Sequence, residues 1–269
     1  MNTYKVIDTS GQIEYPEAAR RVLDDLPIQI QRRRAQQPEE LLSECIGADA
    51  IMVTTARVTR AVMQGLPELK AVIRYGVGMD RIDLQAAEEL GVIAQNVHGF
   101  CTGEMADHCL GLILACARNL VGYVRATREG LWAEDVDRSL SRLQNATAGI
   151  VGLGAIGRAL ARRLSALDMR LLYFDPYVEA DEIGDVDIQP VKLQQLLSES
   201  DFVSLHCPLS DETRHLIGPA ELEVMKSSAF LINTSRGDVV EENALIEALR
   251  EGSIAGAALD VLSTEPPPK

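Results

Sequence analysis

The segment between Ala148 and Leu160 has glycines at the spacing of a phosphate-binding loop. Gly152, Gly154 and Gly157 form the pattern G-x-G-x-x-G between a short apolar run and an alanine-rich helical pattern. In a strand–turn–helix unit the first glycine permits a tight turn, the second lets the backbone approach a pyrophosphate, and the third allows close packing of helix on strand. Free N–H groups and the helix dipole favour negative charge at that helix N-terminus.

An acidic residue follows at the distance that dinucleotide binding requires. The apolar run at residues 170–174 ends in Asp175, about 20 residues beyond the glycines, where a carboxylate accepts a hydrogen bond from the adenosine ribose. The absence of an arginine beside Asp175 favours NAD over NADP. A glycine-rich turn in any α/β protein is the alternative for the glycines alone. The strand, helix and acid in register favour a dinucleotide site.

Two charged residues near later strand ends could act on a substrate. Arg236 follows the predicted strand at residues 230–233, and its guanidinium could hold a carboxylate or polarise a carbonyl in a fixed geometry. Glu265 could support a histidine acid/base by favouring its charged form. The alternatives are an ordinary loop arginine and an exposed loop carboxylate. Cys207, Pro208, Thr234 and Asp260 also follow predicted strands, at the sheet edge where α/β proteins bind ligands.

The elements that would position these residues alternate between strands and helices. In the first hundred residues, strands are predicted at 4–9, 28–30, 50–53, 70–73 and 92–94, with helices between them, including one at 83–90 that Gly91 ends. This alternation predicts a parallel sheet and a small α/β domain. The loop at residues 74–80 follows one of these strands, and its two glycines would let the backbone approach a small ligand. A tight turn without a ligand is the alternative.

A long apolar helix is predicted to connect this domain to the second one. Thr102 suits the N-cap, and the helix continues through Leu114. Because its residues are apolar nearly all round, we expect it to be buried between domains or in a dimer. Beyond the glycine-rich loop, strands are predicted at 170–174, 202–206, 230–233 and 256–259, with helices at 192–198 and 243–250. They form a second α/β domain.

Composition excludes several partner classes. The 269-residue chain has a net charge of −14, which disfavours nucleic acid and anionic membranes. Five cysteines without a C-x-x-C pair indicate a reducing cytoplasm and no metal site. The N-terminus lacks an apolar signal region, and the longest apolar stretch, residues 109–117, is far shorter than a membrane span. A cytoplasmic protein is expected.

These motifs together resemble the D-isomer-specific 2-hydroxyacid dehydrogenases. The resemblance rests on residues 74–84, 99–102, 106–108, 152–157, 205–209, 233–237 and 258–266. The motifs keep the family's order and spacing from about residue 50 to the end. Residues 175–177, 205–207 and 215–217 look most similar to the phosphoglycerate dehydrogenase and C-terminal-binding-protein branches.

The resemblance implies two Rossmann-like α/β domains. Residues 1–99 would form a flavodoxin-like substrate domain, and residues 100–269 an NAD-binding doubly wound parallel sheet that is incomplete at its C-terminus. It also implies NAD-dependent interconversion of a D-2-hydroxy acid and its 2-keto acid. A homodimer through residues 102–120 and the segment around Trp132 is expected.

The resemblance also implies roles for individual residues. Arg236 would hold the substrate carboxylate and carbonyl, and the backbone around Val77 and Gly78 would bind that carboxylate. Arg74 would also bind the substrate. Glu265 would orient a catalytic histidine and raise its pKa, and Asp260 would hold the nicotinamide carboxamide. The full cofactor set is Thr102, Gly152, Leu153, Gly154, Ala155, Ile156, Gly157, Asp175, His206, Cys207, Pro208, Thr213, Thr234, Ser235, Arg236 and Asp260.

Two positions depart from the family pattern. The family's catalytic histidine lies beyond the position of Glu265, and the histidines at 98, 108, 206 and 215 belong to other motifs. We therefore expect a missing C-terminal segment and a loosened first domain. Threonines at 54 and 55 stand where phosphoglycerate-specific members have arginine, which disfavours a phosphorylated substrate. An NAD-responsive regulatory module and a catalytically impaired relative remain alternatives to the active dehydrogenase.

Overall fold

The computed structural model describes residues 3–10, 17–132, 140–178 and 186–267, except for the side chains of residues 17–20. Residues 1–100 and 101–269 form two compact units. The predicted domain boundary, between residues 99 and 100, lies one residue earlier. Part of the predicted connection at residues 130–145, and the last two residues, lie outside the described residues.

The first unit contains a parallel sheet with helices between its strands. Its strands are β1 (Tyr4–Asp8), β2 (Ile28–Arg32), β3 (Ala50–Val53), β4 (Ala71–Arg74) and β5 (Ile93–Asn96), and its helices are α1 (Glu17–Asp24), α2 (Pro38–Glu44), α3 (Arg60–Gly65) and α4 (Leu84–Leu90). The strand order is β2-β1-β3-β4-β5, with every pairing parallel. This is the flavodoxin-like order, which confirms the predicted fold class of this unit.

Helix α4 shows how the local sequence determines an element of this unit. The side chain of Asp83 caps the helix by accepting a hydrogen bond of 2.9 Å from the N–H of Ala86. Gly91 ends it in a left-handed conformation with φ of 70°. Ala86 and Ala87 face the core. The predicted helix and its stop at Gly91 are confirmed.

The second unit contains the predicted doubly wound sheet. Its strands are β6 (Thr147–Val151), β7 (Arg170–Phe174), β8 (Gln189–Pro190), β9 (Phe202–Leu205), β10 (Phe230–Asn233) and β11 (Gly256–Leu259). The order β11-β10-β9-β6-β7-β8 corresponds to the order 3-2-1-4-5-6 of dinucleotide-binding folds. The sequence did not predict β8, since it has only two residues and one is proline, which occurs at sheet edges.

The helices of the second unit are α5 (Thr102–Ala117), α6 (Leu120–Arg128), α7 (Ala155–Ser165), α8 (Leu193–Glu199), α9 (Pro219–Val224) and α10 (Glu242–Glu251). Helices α6 and α9 were not predicted from the sequence. The prediction of Thr102 as an N-cap is wrong by one residue. The carbonyl of Cys101 accepts the first helical hydrogen bond, from Met105, so Cys101 is the N-cap and Thr102 the first helical residue.

Helix α5 packs within its own unit along one face. Its buried residues are Ala106, Cys109, Ile113 and Ala117, at the spacing of one helical stripe. Arg163 on α7 fixes the two helices together: its Nε donates to Asp107 Oδ1 at 2.6 Å and its Nη2 to the Gly103 carbonyl at 3.3 Å. The apolar character of this face is therefore explained by packing on α7 and the sheet.

No single helix in the described parts of the chain is long and apolar enough to cross a membrane. Helices α5 and α6 meet the length and composition criteria only when they are counted together, and they are bent by 62° at the break between them. Asn119, with φ of 46°, lies at that break.

Candidate functional site

The glycine-rich loop meets the loop after β9 where the strand order of the second sheet reverses. Gly152 has φ of 93°, and a Cβ atom there would lie 2.7 Å from the backbone nitrogen of Cys207. Only glycine permits both this conformation and this contact. Strands β6 and β9 are neighbours, and open α/β sheets bind ligands outside such a switch point. The structure thus brings together two loops that were predicted separately.

The other two glycines have different surroundings. A Cβ atom at Gly157 would lie 2.3 Å from the Gly152 carbonyl oxygen, so glycine is required for α7 to approach β6. At Gly154, by contrast, no heavy atom lies within 4 Å of the place that a Cβ atom would occupy. Gly154 is the N-cap of α7, and the N–H groups of Ala155 and Ile156 begin the helix without intrahelical acceptors. Leu153 completes the loop. This open cradle fits a pyrophosphate.

Asp175 lies beside this cradle at the end of β7. Its Oδ2 accepts the N–H of Leu153 at 2.8 Å, and its Oδ1 accepts the N–H of Tyr177 at 2.9 Å. A carboxylate offers about four acceptor positions, so both oxygens can still accept from ribose hydroxyl groups. The backbone bonds determine the orientation of the carboxylate before any ligand binds. The N–H donors at the start of α7 and the Asp175 carboxylate acceptor together fit NAD.

The loop after β9 contributes backbone and shape rather than charge. The imidazole Nε2 of His206 lies 2.9 Å from Ser204 Oγ, and burial lowers the pKa of His206 to about 4, so the ring is neutral at pH 7. Burial raises the pKa of the Cys207 thiol to about 11. Thr213 Oγ1 accepts the N–H of Ser210 at 2.8 Å and donates to the Pro208 carbonyl, which folds the turn that follows.

A buried asparagine that the sequence analysis gave no role organises the loop after β10. Asn233 Oδ1 accepts both the N–H and the hydroxyl of Ser235, at 3.0 and 2.9 Å. Its Nδ2 donates to the carbonyl of Arg236 at 2.8 Å. An asparagine at a strand end that folds the next residues is a known turn former, and this signal could have identified it. Asn233 therefore determines the path of the chain at Arg236.

The loop carrying Glu265 packs on the loop carrying Arg236. A Cβ atom at Gly237 would lie 2.0 Å from the carbonyl carbon of Leu262, so only glycine permits the contact. Glu265 Oε1 accepts the N–H of Leu262 at 3.0 Å, and the Glu265 side chain is exposed. Arg236 Nη1 donates to the Ser235 carbonyl at 2.7 Å. Both candidate catalytic residues thus lie on adjoining loops of one unit.

Helix α5 supports the remaining cofactor candidates. Cys109 Sγ lies 3.1 Å from Thr234 Oγ1, and His108 Nε2 lies 3.5 Å from Asp260 Oδ1. The N–H of Asp260 donates to the Asn233 carbonyl at 2.9 Å. Thr102 lies in the first turn of the same helix, half-buried. The sequence did not predict that His108 and Cys109 would position this edge.

In the first unit, the loop after β4 is held by two side chains. Arg74 Nη1 donates to the Gly78 carbonyl, and Asn96 Nδ2 donates to the Val77 carbonyl. Gly76 has φ of 152°, which favours glycine. With both carbonyls engaged, the N–H groups of Val77 and Gly78 are the groups of this loop suited to an anionic ligand. Arg74 shapes the loop as well as carrying charge.

Comparison with known proteins agrees with this arrangement. The family model described as D-isomer specific 2-hydroxyacid dehydrogenase, NAD binding domain, matches residues 110–269. A glyoxylate reductase from Korarchaeum cryptofilum is 42% identical over 233 residues, 85% of this chain and 69% of that protein. A D-3-phosphoglycerate dehydrogenase from Methanocaldococcus jannaschii is 37% identical over 231 residues, 85% of this chain and 44% of that protein.

A solved structure gives the same result. The D-lactate dehydrogenase from Aquifex aeolicus, complexed with NAD and lactic acid, matches with a TM-score of 0.87 and 28% identity, over 97% of this chain and 78% of that one. The family model alone covers more than half of the 269 residues. The chain therefore belongs to the D-isomer-specific 2-hydroxyacid dehydrogenases, as its motifs predicted, and residues 110–269 match the family's NAD-binding domain.

Proposed function

We propose that this protein transfers a hydride between NAD and a small D-2-hydroxy acid or its 2-keto acid. The observation that carries the proposal is the edge of the second sheet, where the Gly154 cradle, Asp175 and the Arg236 loop follow strands of one parallel sheet. Dinucleotides bind at this edge in open α/β sheets. An arginine placed there can hold and polarise a keto acid.

The cofactor residues divide by the part of NAD that each would hold. The start of α7 would bind the pyrophosphate and Asp175 the adenosine ribose. Thr234 and Asp260, supported by α5, would bind the nicotinamide end. When bound, the nicotinamide supplies or accepts the hydride. His206 would add no positive charge, because burial keeps its imidazole neutral.

The substrate residues would recognise a carboxylate next to a carbonyl. Arg236 offers a planar guanidinium for both groups. In the first unit, the N–H groups of Val77 and Gly78 would donate to a carboxylate, on a loop that Arg74 holds. Thr54 and Thr55 follow β3, and neither can pair with a phosphate as arginine does. We therefore propose a small unphosphorylated acid of the glyoxylate or pyruvate type.

Keto-acid reduction also needs a proton donor. Glu265 is proposed to orient the catalytic histidine that the family places after the position of Glu265. A nearby carboxylate would raise the pKa of that histidine by favouring its charged form. His206 is an unsuitable donor because it is bonded to Ser204 and its pKa is about 4. A positioned acid of this kind contributes about 10²–10⁴ to the rate.

We also propose that the protein forms a homodimer and acts in the cytoplasm. Supporting the dimer, Val121 and Val124 on α6 are 75% and 53% exposed, and Trp132 after it is 76% exposed. An exposed apolar patch of this kind is typical of a protein interface. The five cysteines are free thiols, which agrees with a reducing compartment.

Titration of the purified protein with NADH, followed by assays with glyoxylate, pyruvate and the keto acid of D-3-phosphoglycerate, tests the proposal. We expect NADH binding, with NADH oxidation faster with the unphosphorylated acids. Absence of NADH binding would refute the cofactor site. NADH binding without oxidation on any of the three acids would refute the activity and favour an NAD-responsive module or a catalytically impaired relative.

A further inference from the structure

A second carboxylate, that of Glu212, is linked to Asp175 through one tyrosine. Tyr177 connects the two: its backbone N–H donates to Asp175 Oδ1 at 2.9 Å, and its phenol donates to Glu212 Oε2 at 2.6 Å. Tyr177 and Glu212 are 35 positions apart along the chain, which explains why sequence spacing did not indicate the pair. One tyrosine thus holds two carboxylates.

The sheet order places this contact across the nucleotide loop. Asp175 and Tyr177 follow β7, and Glu212 lies in the turn after β9. Both strands are neighbours of β6, whose end carries the glycine-rich loop. The bond between Tyr177 and Glu212 therefore joins the two segments that flank that loop.

The turn that carries Glu212 is folded by its own hydrogen bonds. The nearest arginine along the chain, Arg214, does not neutralise the Glu212 carboxylate. Thr213 folds the turn through its bonds to Ser210 and Pro208, and Arg214 forms its ion pair with Asp238. The Glu212 and Asp175 carboxylates both raise the pKa of the Tyr177 phenol. A tyrosine phenol is protonated at neutral pH, so it can donate to Glu212 there.

We propose that Glu212, held by Tyr177, is a second determinant of NAD selectivity that acts with Asp175 against the 2′-phosphate of NADP. The inference rests on the proposed NAD binding. A phosphate monoester carries a charge of about −1.5 to −2, and a like charge held nearby opposes its binding. NAD has an uncharged 2′-hydroxyl at that position, so Glu212 costs it little.

The test is the Glu212→Gln variant, with Kd for NADH and NADPH measured from the fluorescence of the reduced cofactors. For an exposed charge we expect Kd for NADPH to fall about two- to fivefold, while Kd for NADH changes less than about 1.5-fold. Tyr177→Phe, which frees Glu212 to move, should give a smaller shift in the same direction. Glutamine has nearly the same size as glutamate, and the residue is exposed, so folding should be retained.

Asp211→Asn is the matched control, because it removes the same charge one residue earlier, from a side chain that does not accept from Tyr177. An equal gain in NADPH affinity for Asp211→Asn and Glu212→Gln would overturn the inference, since net charge alone would explain it. An unchanged ratio of Kd for NADPH to Kd for NADH in Glu212→Gln would overturn the inference as well. Wild-type protein that binds neither cofactor would instead refute the proposed NAD site, and the two failures are therefore distinguishable.

Discussion

At the scale of single residues, buried polar side chains determine the shape of this site. Asn233 makes three hydrogen bonds within four residues, and the His206 imidazole is kept neutral against Ser204. Buried polar groups are costly unless their partners are present. Each of these residues therefore affects both stability and the geometry of its loop.

Replacing Asn233 by alanine should destabilise the fold and disorganise the Arg236 loop. Loss of the amide leaves buried groups without partners, so we expect the free energy of unfolding to fall by about 1–3 kcal/mol. KM for the keto acid should rise more than Kd for NADH. Urea denaturation and steady-state kinetics would measure these effects. Ser235→Ala, which removes one of the bonds, should have the smaller effect, and equal effects would contradict the role of Asn233.

The low pKa of His206 predicts a loss of stability in acid. The value is about 4 in the folded chain against an ordinary 6.5, so the unfolded chain binds a proton that the folded chain rejects between these values. Stability should be unaffected by His206 above pH 6.5 and should fall as the pH decreases towards 4, by up to about 3 kcal/mol. Urea denaturation across this range should show a shallower decline for His206→Gln. The same decline in both proteins would contradict the assignment.

At the scale of elements, the β6–α7 unit requires its glycines for two separate reasons. Gly157 is needed because the helix lies too close to the turn for a side chain, whereas the position beside Gly154 is empty. The first is a packing requirement and the second leaves room for a ligand. Substitution by alanine can separate them.

Gly154→Ala should weaken NADH binding without changing stability, and Gly157→Ala should lower both. A methyl group at Gly154 enters the open cradle and should raise Kd for NADH at least about tenfold. At Gly157 the methyl would lie 2.3 Å from a carbonyl oxygen, so α7 must shift, at a cost of about 1–3 kcal/mol. Thermal denaturation and NADH titration of both variants provide the comparison. Normal NADH binding by Gly154→Ala would contradict the location of the pyrophosphate.

At the scale of the whole molecule, apolar surface on and after α6 favours self-association. One face of α5 is buried against its own unit, but the valines of α6 and Trp132 are largely exposed. Burial of such side chains contributes about 1.5–3 kcal/mol each. Association of two copies through this surface would remove them from water.

Val121→Glu should convert the expected dimer to a monomer. A charge at a buried apolar contact is unfavourable, so light scattering should give twice the chain mass for the wild type and the chain mass for the variant. Leu249→Glu is the matched control, since Leu249 is an exposed leucine on α10. A monomeric wild type, or a dimeric Val121→Glu variant, would contradict this interface.

The sequence by itself determined the features that depend on short stretches of chain. The sequence correctly predicted where the glycine-rich turn, Asp175, the end of α4 and the strands around Arg236 lie, because turn, cap and periodicity preferences act within a few residues. The cofactor role of Asp175 stays a prediction. The family and the two-sheet fold class followed from the order of these motifs.

Only the tertiary structure decided the features that depend on contacts between distant segments. The pairing of β6 with β9, the packing of α5 beneath Thr234 and Asp260, and the bond between Tyr177 and Glu212 all join parts of the chain that are far apart in sequence. The two-residue strand β8 exists because it pairs with β7. Local preferences carry no information about these neighbours. The burial of Asn233 and the desolvation of the His206 imidazole are properties of the packed sheet rather than of either residue type.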